Sequence, residues 1–314
     1  MNTPTAPDAT RFLDPATLMR IRSLEMRARA VVEGFWRGLH RSPFHGFSVE
    51  FSEYRQYTQG DDPRYIDWKV LARSDRHFIK KFEDETSLRA HFFVDQSRSM
   101  TFGSGAVRKV DYANTLAASL GYFLSKQGDA IGLTTFHEQI AEQLPPRSRP
   151  GHLRRFMAML HRDCQGAATG LGDMLRCVPV LCRKRGLVVI VSDFLVPAEE
   201  IVGGLRSLRA AGHDVVLFRV LDPVEVSFEF DRAGHFHDAE SGSEVFVDPV
   251  EAKQRYLQRF AAHEQEVQRA ARENRIDWVS LTTDQPLEEA LWSFLTRRRR
   301  QRNGNARGRR TRNR

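Results

Sequence analysis

Two hydrophobic rhythms alternate along this chain. Residues 90–95 and 187–193 are nearly continuous apolar runs of strand length, as strands buried on both faces of a parallel sheet require, and each stops abruptly on a carboxylate. Shorter runs near 130–136, 214–220 and 277–281 read as further strands. Between them apolar residues return at helical spacing. Asp14-Pro15 offers an N-cap and a first-turn proline, opening a helix to about Gly38 along Leu18, Leu24, Ala28, Val31 and Phe35. Lys109–Lys126 keeps the same rhythm through Tyr112, Leu116, Leu120 and Phe123, and more helices are expected at 151–162, 171–185, 198–211, 250–274 and 287–295. Pro145-Pro146 is expected to turn the chain, Gly186 to end a helix, and residues 225–248 to form a β-hairpin insertion. The alternation predicts an α/β fold, a Rossmann-like mostly parallel sheet flanked by helices.

With 314 residues, 41% of them apolar, the chain can bury one large core or two modest ones. No run approaches the roughly eighteen apolar residues of a membrane helix, and the first twenty residues lack a basic-then-apolar leader, so a cytoplasmic protein without a membrane span is expected. Cys164, Cys177 and Cys182 lack the paired spacing of a zinc site or a disulfide framework. The net charge of +8 is concentrated at one end. Residues 297–314 hold ten arginines and no acid, leaving −2 for the rest (8 − 10). A basic, Gly/Asn-containing arm without aromatic residues fits a disordered polyanion-tolerant tail, and no specific nucleic-acid recognition is expected.

Several motifs invite chemistry and withdraw it. Gly103-Ser104-Gly105 follows a strand, but the third glycine of a dinucleotide fingerprint would fall on Arg108, and no Gly-Lys-Ser/Thr stands at phosphate-loop spacing. His137-Glu138 lacks the second histidine of a zinc-protease helix, since position 141 is alanine. His235 and His237 share a strand face with only Asp238 adjacent, which suits an exposed hairpin better than a metal site. Asp61, Asp62 and Asp67 could gather a metal or substrate, but a tight Gly60-Asp61-Asp62-Pro63 turn with Arg55, Arg64 and Arg73 as charge partners accounts for them more simply.

One constellation persists. Asp95, Ser97 and Ser99 come from one strand end, Thr169 from the small-residue loop 166–173, and Asp193 from a second strand end. All are hard oxygen donors, suited to Mg2+, with Mn2+ or Ca2+ as other candidates. Alternate serines in extended backbone lie on one side, and so small a charge leaves an ion with an open coordination position. Alternatively, Asp95 and its serines only cap the next helix and satisfy loop backbone, which would not require Thr169 or Asp193.

Asp95-x-Ser97-x-Ser99, Thr169-x-Leu171 and Asp193 after an apolar strand resemble the metal-ion-dependent adhesion site of von Willebrand factor type A (VWA) domains. With Ser48-Val49-Glu50-Phe51, Tyr54-Arg55, Gly60-Asp61-Asp62, Arg64, Ile66-Asp67-Trp68, Ala72-Arg73 and Phe82-Glu83, the chain from about 14 to 295 resembles the bacterial DUF58 family. That resemblance implies a disordered segment 1–13, an N-terminal segment 14–88, a VWA-like domain 89–296 and the tail 297–314. It implies Mg2+ held by Asp95, Ser97, Ser99, Thr169 and Asp193, directly or through water, with the open position taken by a partner carboxylate. It also implies a non-enzymatic adaptor working with a MoxR-type AAA+ ATPase on a client protein, in chaperone-like maturation of complexes. Two departures stand out: many such sites have Asp-Gly where this chain has Asp193-Phe194, and many family members carry N-terminal membrane helices. The alternatives are a metal-dependent hydrolase or phosphoryl-transfer enzyme and a nucleic-acid binder acting through the arginine tail. The first lacks the second aspartate of a haloacid-dehalogenase-like motif and a base near Ser97.

Overall fold

The computed structural model describes residues 13–41, 54–56, 78–80, 88–162, 166, 168–230, 233–237, 243–292 and 294–295. The chain divides into two compact units, Met1–Gly38 with Leu88–Arg314, and Leu39–Ser87. In the smaller unit β1 (Tyr54–Gln56) pairs antiparallel with β2 (Phe78–Lys80). Asp61, Asp62, Asp67 and the rest of the Gly60–Trp68 block lie outside the described residues.

The larger unit begins with two helices rather than the expected one, α1 (Pro15–Met19) and α2 (Leu24–Arg41). Asp14 caps α1 by accepting from the Thr17 backbone N–H at 2.9 Å. The break follows because Ser23 starts a second helix, its hydroxyl accepting from the Met26 N–H. The apolar face of α2 packs within this unit, Phe35 meeting the rings of Phe123 (6.4 Å) and Trp292 (6.2 Å), so the expected 14–88 segment divides after Gly38.

Then follow β3 (Arg89–Asp95), α3 (Lys109–Lys126), β4 (Ala130–Phe136), β5 (Ile140–Arg147), α4 (His152–Leu160), α5 (Leu171–Leu181), β6 (Leu187–Ser192), α6 (Ala198–Ala210) and β7 (Asp214–Leu221). After them come α7 (Pro223–Ser227), β8 (Gly234–His237), β9 (Glu244–Val247), α8 (Pro249–Glu273) and β10 (Asp277–Thr282), with residues 287–292 helical again. Six strands form one sheet in the order β10-β7-β6-β3-β4-β5, all parallel except the antiparallel edge strand β5. The mostly parallel α/β architecture is the one expected.

Successive side chains of β3 point to opposite faces, and both faces are covered. Phe93 joins Ile190 and Leu217 in a core closed by Leu175, Leu205 and Val267 of α5, α6 and α8. Its neighbour Phe92 points the other way, edge-on to Phe156 of α4 at 5.3 Å. Burial on two sides explains why β4 and β6 are apolar or small throughout, and losing one such phenylalanine side chain costs about 3–5 kcal/mol.

Three expectations are corrected. Pro145 and Pro146 lie within β5, not at a turn, because an edge strand tolerates missing donors and the pairing shifts register between Ile131 and Leu133. Gly132 makes room there: a Cβ would meet the Pro146 nitrogen at 2.7 Å. Helix α5 stops at Leu181, with Cys182 as its C-cap at φ −106°, and does not reach Gly186. The expected hairpin begins at Gly234, since Asp222 and Glu225 form a capping box that makes 223–227 helical.

Candidate metal centre at the switch point of the sheet

From β3 the chain moves through β4 and β5 to one edge of the sheet, and from β6 it moves through β7 and β10 to the other. The switch point lies between β3 and β6, whose carboxyl ends therefore border the crevice in which open α/β sheets place ligands. Asp95 ends β3 and Asp193 follows β6. Both are buried.

Asp95 is the centre of the cluster. Its Oδ1 accepts the Ser97 backbone N–H at 2.9 Å, while its Oδ2 accepts the hydroxyls of Ser192 (2.7 Å) and Thr169 (3.1 Å). The Ser97 and Ser99 hydroxyls lie 3.2 Å apart, though not through the extended backbone expected, since Arg98–Thr101 forms a 3-10 helix with Ser97 at its N-cap. Asp95, Ser97, Ser99 and Thr169 thus belong to one hydrogen-bonded group, with the Asp193 carboxylate close enough to raise the Asp95 carboxyl. Thr169 arrives there because its loop is pinned to the β4–β5 turn. Gly170 N–H donates to the His137 carbonyl at 2.6 Å and Ala168 N–H to Glu138 at 2.7 Å, and a Cβ on Gly170 would lie 2.4 Å from the Glu138 carbonyl oxygen.

The group bonded to Asp95 is entirely neutral. Burial, reinforced by the nearby Asp193 carboxylate, pushes the Asp95 carboxyl up to about 6. A desolvated carboxylate surrounded by hydroxyl oxygens is the environment in which a hard divalent cation finds donors and relieves uncompensated charge, so these residues fit the magnesium site that the resemblance implies. Among the described residues no group of three or more His, Cys, Asp or Glu side chains could hold a metal, so any ion here would depend on hydroxyl donors.

Asp193 differs from Asp95 in having a cationic partner. Lys109, at the start of α3 and fully buried, donates to Asp193 Oδ2 at 2.9 Å and to Glu225 at 2.6 Å. Burial alone would pull the lysine down and Asp193 up. Their mutual attraction outweighs it, holding the ammonium above and the carboxyl below their usual ranges. Glu225 is pushed up, chiefly by burial. The backbone of this loop is also clamped. Arg219 donates from Nε to the Asp193 carbonyl at 3.1 Å, its guanidinium stacked 4.7 Å over Phe260.

Phe194 stands where many adhesion sites have a glycine, and it adopts the conformation a glycine would favour, φ 53°. The cost, about 1–2 kcal/mol for a left-handed side chain, is offset by complete burial of the ring edge-on to Trp278 at 5.2 Å.

Sequence reasoning missed Lys109, Ser192, Arg219 and Glu225. Spacing puts Lys109 on the buried face of α3, three residues before Tyr112 and seven before Leu116, but spacing alone does not tell a buried lysine from one that reaches solvent. Of the hairpin histidines, His235 pairs with Glu244 across the strands.

Comparison with known proteins places the chain in a family. Residues 53–270 match the family described as "Protein of unknown function DUF58". The chain belongs to the DUF58 family. The uncharacterized protein Rv1480 of Mycobacterium tuberculosis is 30% identical over 294 residues, covering 91% of each chain. Among solved structures, BatB from Bacteroides thetaiotaomicron is similar at 15% identity and TM-score 0.47, over 67% of this chain and 98% of its own. The SpRpn10 VWA domain is similar at 12% identity and TM-score 0.40, over 65% and 93%. Among the described residues of this DUF58 protein no helix is long and apolar enough to cross a membrane.

Proposed function

We propose that this DUF58 protein is a non-enzymatic, metal-dependent protein-interaction module that serves as an adaptor for a MoxR-type AAA+ ATPase acting on a client complex. The observation that carries this reading is the convergence of Asp95, Ser97, Ser99 and Thr169 at the switch point of the sheet. Magnesium bound there would supply a Lewis acid with a coordination position free for a partner's carboxylate. The chain's own residues set the geometry. Ser192 and the Ser97 N–H orient Asp95, and the Thr169 loop is held by the β4–β5 turn. Position 97 is serine, so the second aspartate of a haloacid-dehalogenase-like motif is absent, which favours binding over hydrolysis or phosphoryl transfer.

The test is affinity capture from the native host with wild type and Asp95→Ala, each in Mg2+ and in EDTA. The reading expects an AAA+ ATPase to be retained only by wild type in Mg2+, while Asp95→Ala keeps the native circular dichroism spectrum. Equal retention in EDTA would contradict it.

A further inference from the structure

Lys109 is a fully buried lysine whose ammonium lies 2.9 Å from Asp193 and 2.6 Å from Glu225. Taking a charge into the interior is costly unless it is paired and hydrogen-bonded, so this ammonium has to be explained by the carboxylates around it. Asp193 is correspondingly well supplied with donors. Its Oδ2 receives Lys109 and its Oδ1 receives the Leu195 N–H at 3.2 Å. A carboxylate already neutralised and hydrogen-bonded on both oxygens is a poor direct ligand. Asp95, by contrast, receives only neutral donors.

Resting on the metal-dependent reading above, we propose that Lys109 is a resident counter-cation that takes Asp193 out of the coordination sphere, leaving the ion to Asp95, Ser97, Ser99 and Thr169. Lys109 is thus a positioning residue that sets the charge of the centre. A divalent ion balanced by one uncompensated carboxylate keeps a local charge of +1, which favours an anionic ligand from a partner. Were Asp193 unpaired, a second carboxylate would cancel that charge and hold the ion more tightly, at the expense of the anionic partner. The same lysine joins three loops, those after β3, β6 and β7, because Glu225 belongs to α7 and Asp193 follows β6.

The experiment is a Mn2+ titration followed by electron paramagnetic resonance, using the full chain and the variants Lys109→Gln, Lys109→Gln/Asp193→Asn and Asp95→Asn, each checked for native circular dichroism. Lys109→Gln is expected to bind Mn2+ at least tenfold tighter than wild type, because Asp193 becomes available. The double variant removes one positive and one negative charge together and is expected to stay within threefold of wild type. Asp95→Asn is expected to lose binding by a hundredfold or more. A double variant weakened tenfold or more would make Asp193 a direct ligand and overturn the proposal, as would an unchanged or weakened Lys109→Gln. Binding by Lys109→Gln but not by wild type would defeat the metal-dependent reading of the native protein while upholding the role of Lys109. Absence of binding in every protein would overturn both. If Lys109→Gln alone fails to fold, the charge-balanced double variant still decides whether Asp193 is a ligand.

Discussion

Gly170→Ala isolates the device that brings Thr169 to Asp95. In general, replacing glycine by alanine where φ is negative stabilises a protein by about 0.4–1 kcal/mol, because the unfolded chain has less freedom to lose. Gly170 has φ −99°, so conformation alone predicts a gain. The surroundings reverse the sign. The added Cβ would lie 2.4 Å from the Glu138 carbonyl oxygen and 2.9 Å from its carbon. Both are backbone atoms of the β4–β5 turn and cannot swing aside as a side chain would. Relief requires the loop to lift, which gives up the 2.6 Å bond from Gly170 N–H to the His137 carbonyl. Overpacking costs about 1–3 kcal/mol and a lost hydrogen bond about 1 kcal/mol, so the net expectation is a loss of roughly 1–3 kcal/mol. Gly203→Ala is the matched control, since it lies in α6 with no atom within 4 Å of the new Cβ, and it should gain up to about 1 kcal/mol. Urea denaturation in EDTA measures both, and Mn2+ titration should show weaker binding for Gly170→Ala alone. A Gly170→Ala protein as stable as the Gly203→Ala control would refute the argument that this close approach positions the loop.

Two further outcomes follow from the same structure. His91 is partly buried in β3, and desolvation, then the charges of His213 and Arg89, lower it to about 4. Its folded pKa is below its unfolded value, so its contribution is present above about pH 6.5 and is lost as pH falls towards 4. His91→Gln should therefore flatten the pH dependence of the urea midpoint across that window, and an unchanged slope would contradict the assignment. Phe194→Ala keeps a side chain in the left-handed region while losing the ring packed on Trp278. It should cost about 3–5 kcal/mol in chemical denaturation, whereas a loss below about 1 kcal/mol would mean the ring does not anchor the loop after Asp193.

The parts of the fold legible in the sequence were those set by two-sided burial. The runs at 90–95 and 187–193 could be read as central strands because they are apolar apart from His91 and Ser192, and their terminal carboxylates then fell at the switch point. That Asp95, Ser97 and Thr169 would meet was legible because each stands at a strand end or in a small-residue loop. Lys109 was hidden by its own type, since a lysine on an apolar face normally reaches solvent, and only the three-dimensional approach of Asp193 and Glu225 shows that it does not. The strand through Pro145-Pro146 was hidden because local turn chemistry and edge-strand tolerance make opposite predictions for the same residues. The early end of α5 and the short helix α7 depended on caps whose geometry the sequence only partly encodes.

The central claim, that the ends of β3 and β6 form a divalent-metal centre with a position left open, is tested most directly by anomalous diffraction from a crystal grown with Mn2+. The account predicts one peak at metal–oxygen bonding distance, about 2.0–2.6 Å, from Asp95, Ser97 and Ser99. It also predicts that Lys109 remains bonded to Asp193. A well-ordered switch point with Asp95 still bonded to Ser192 and Thr169, and no anomalous peak beside it, would contradict the account.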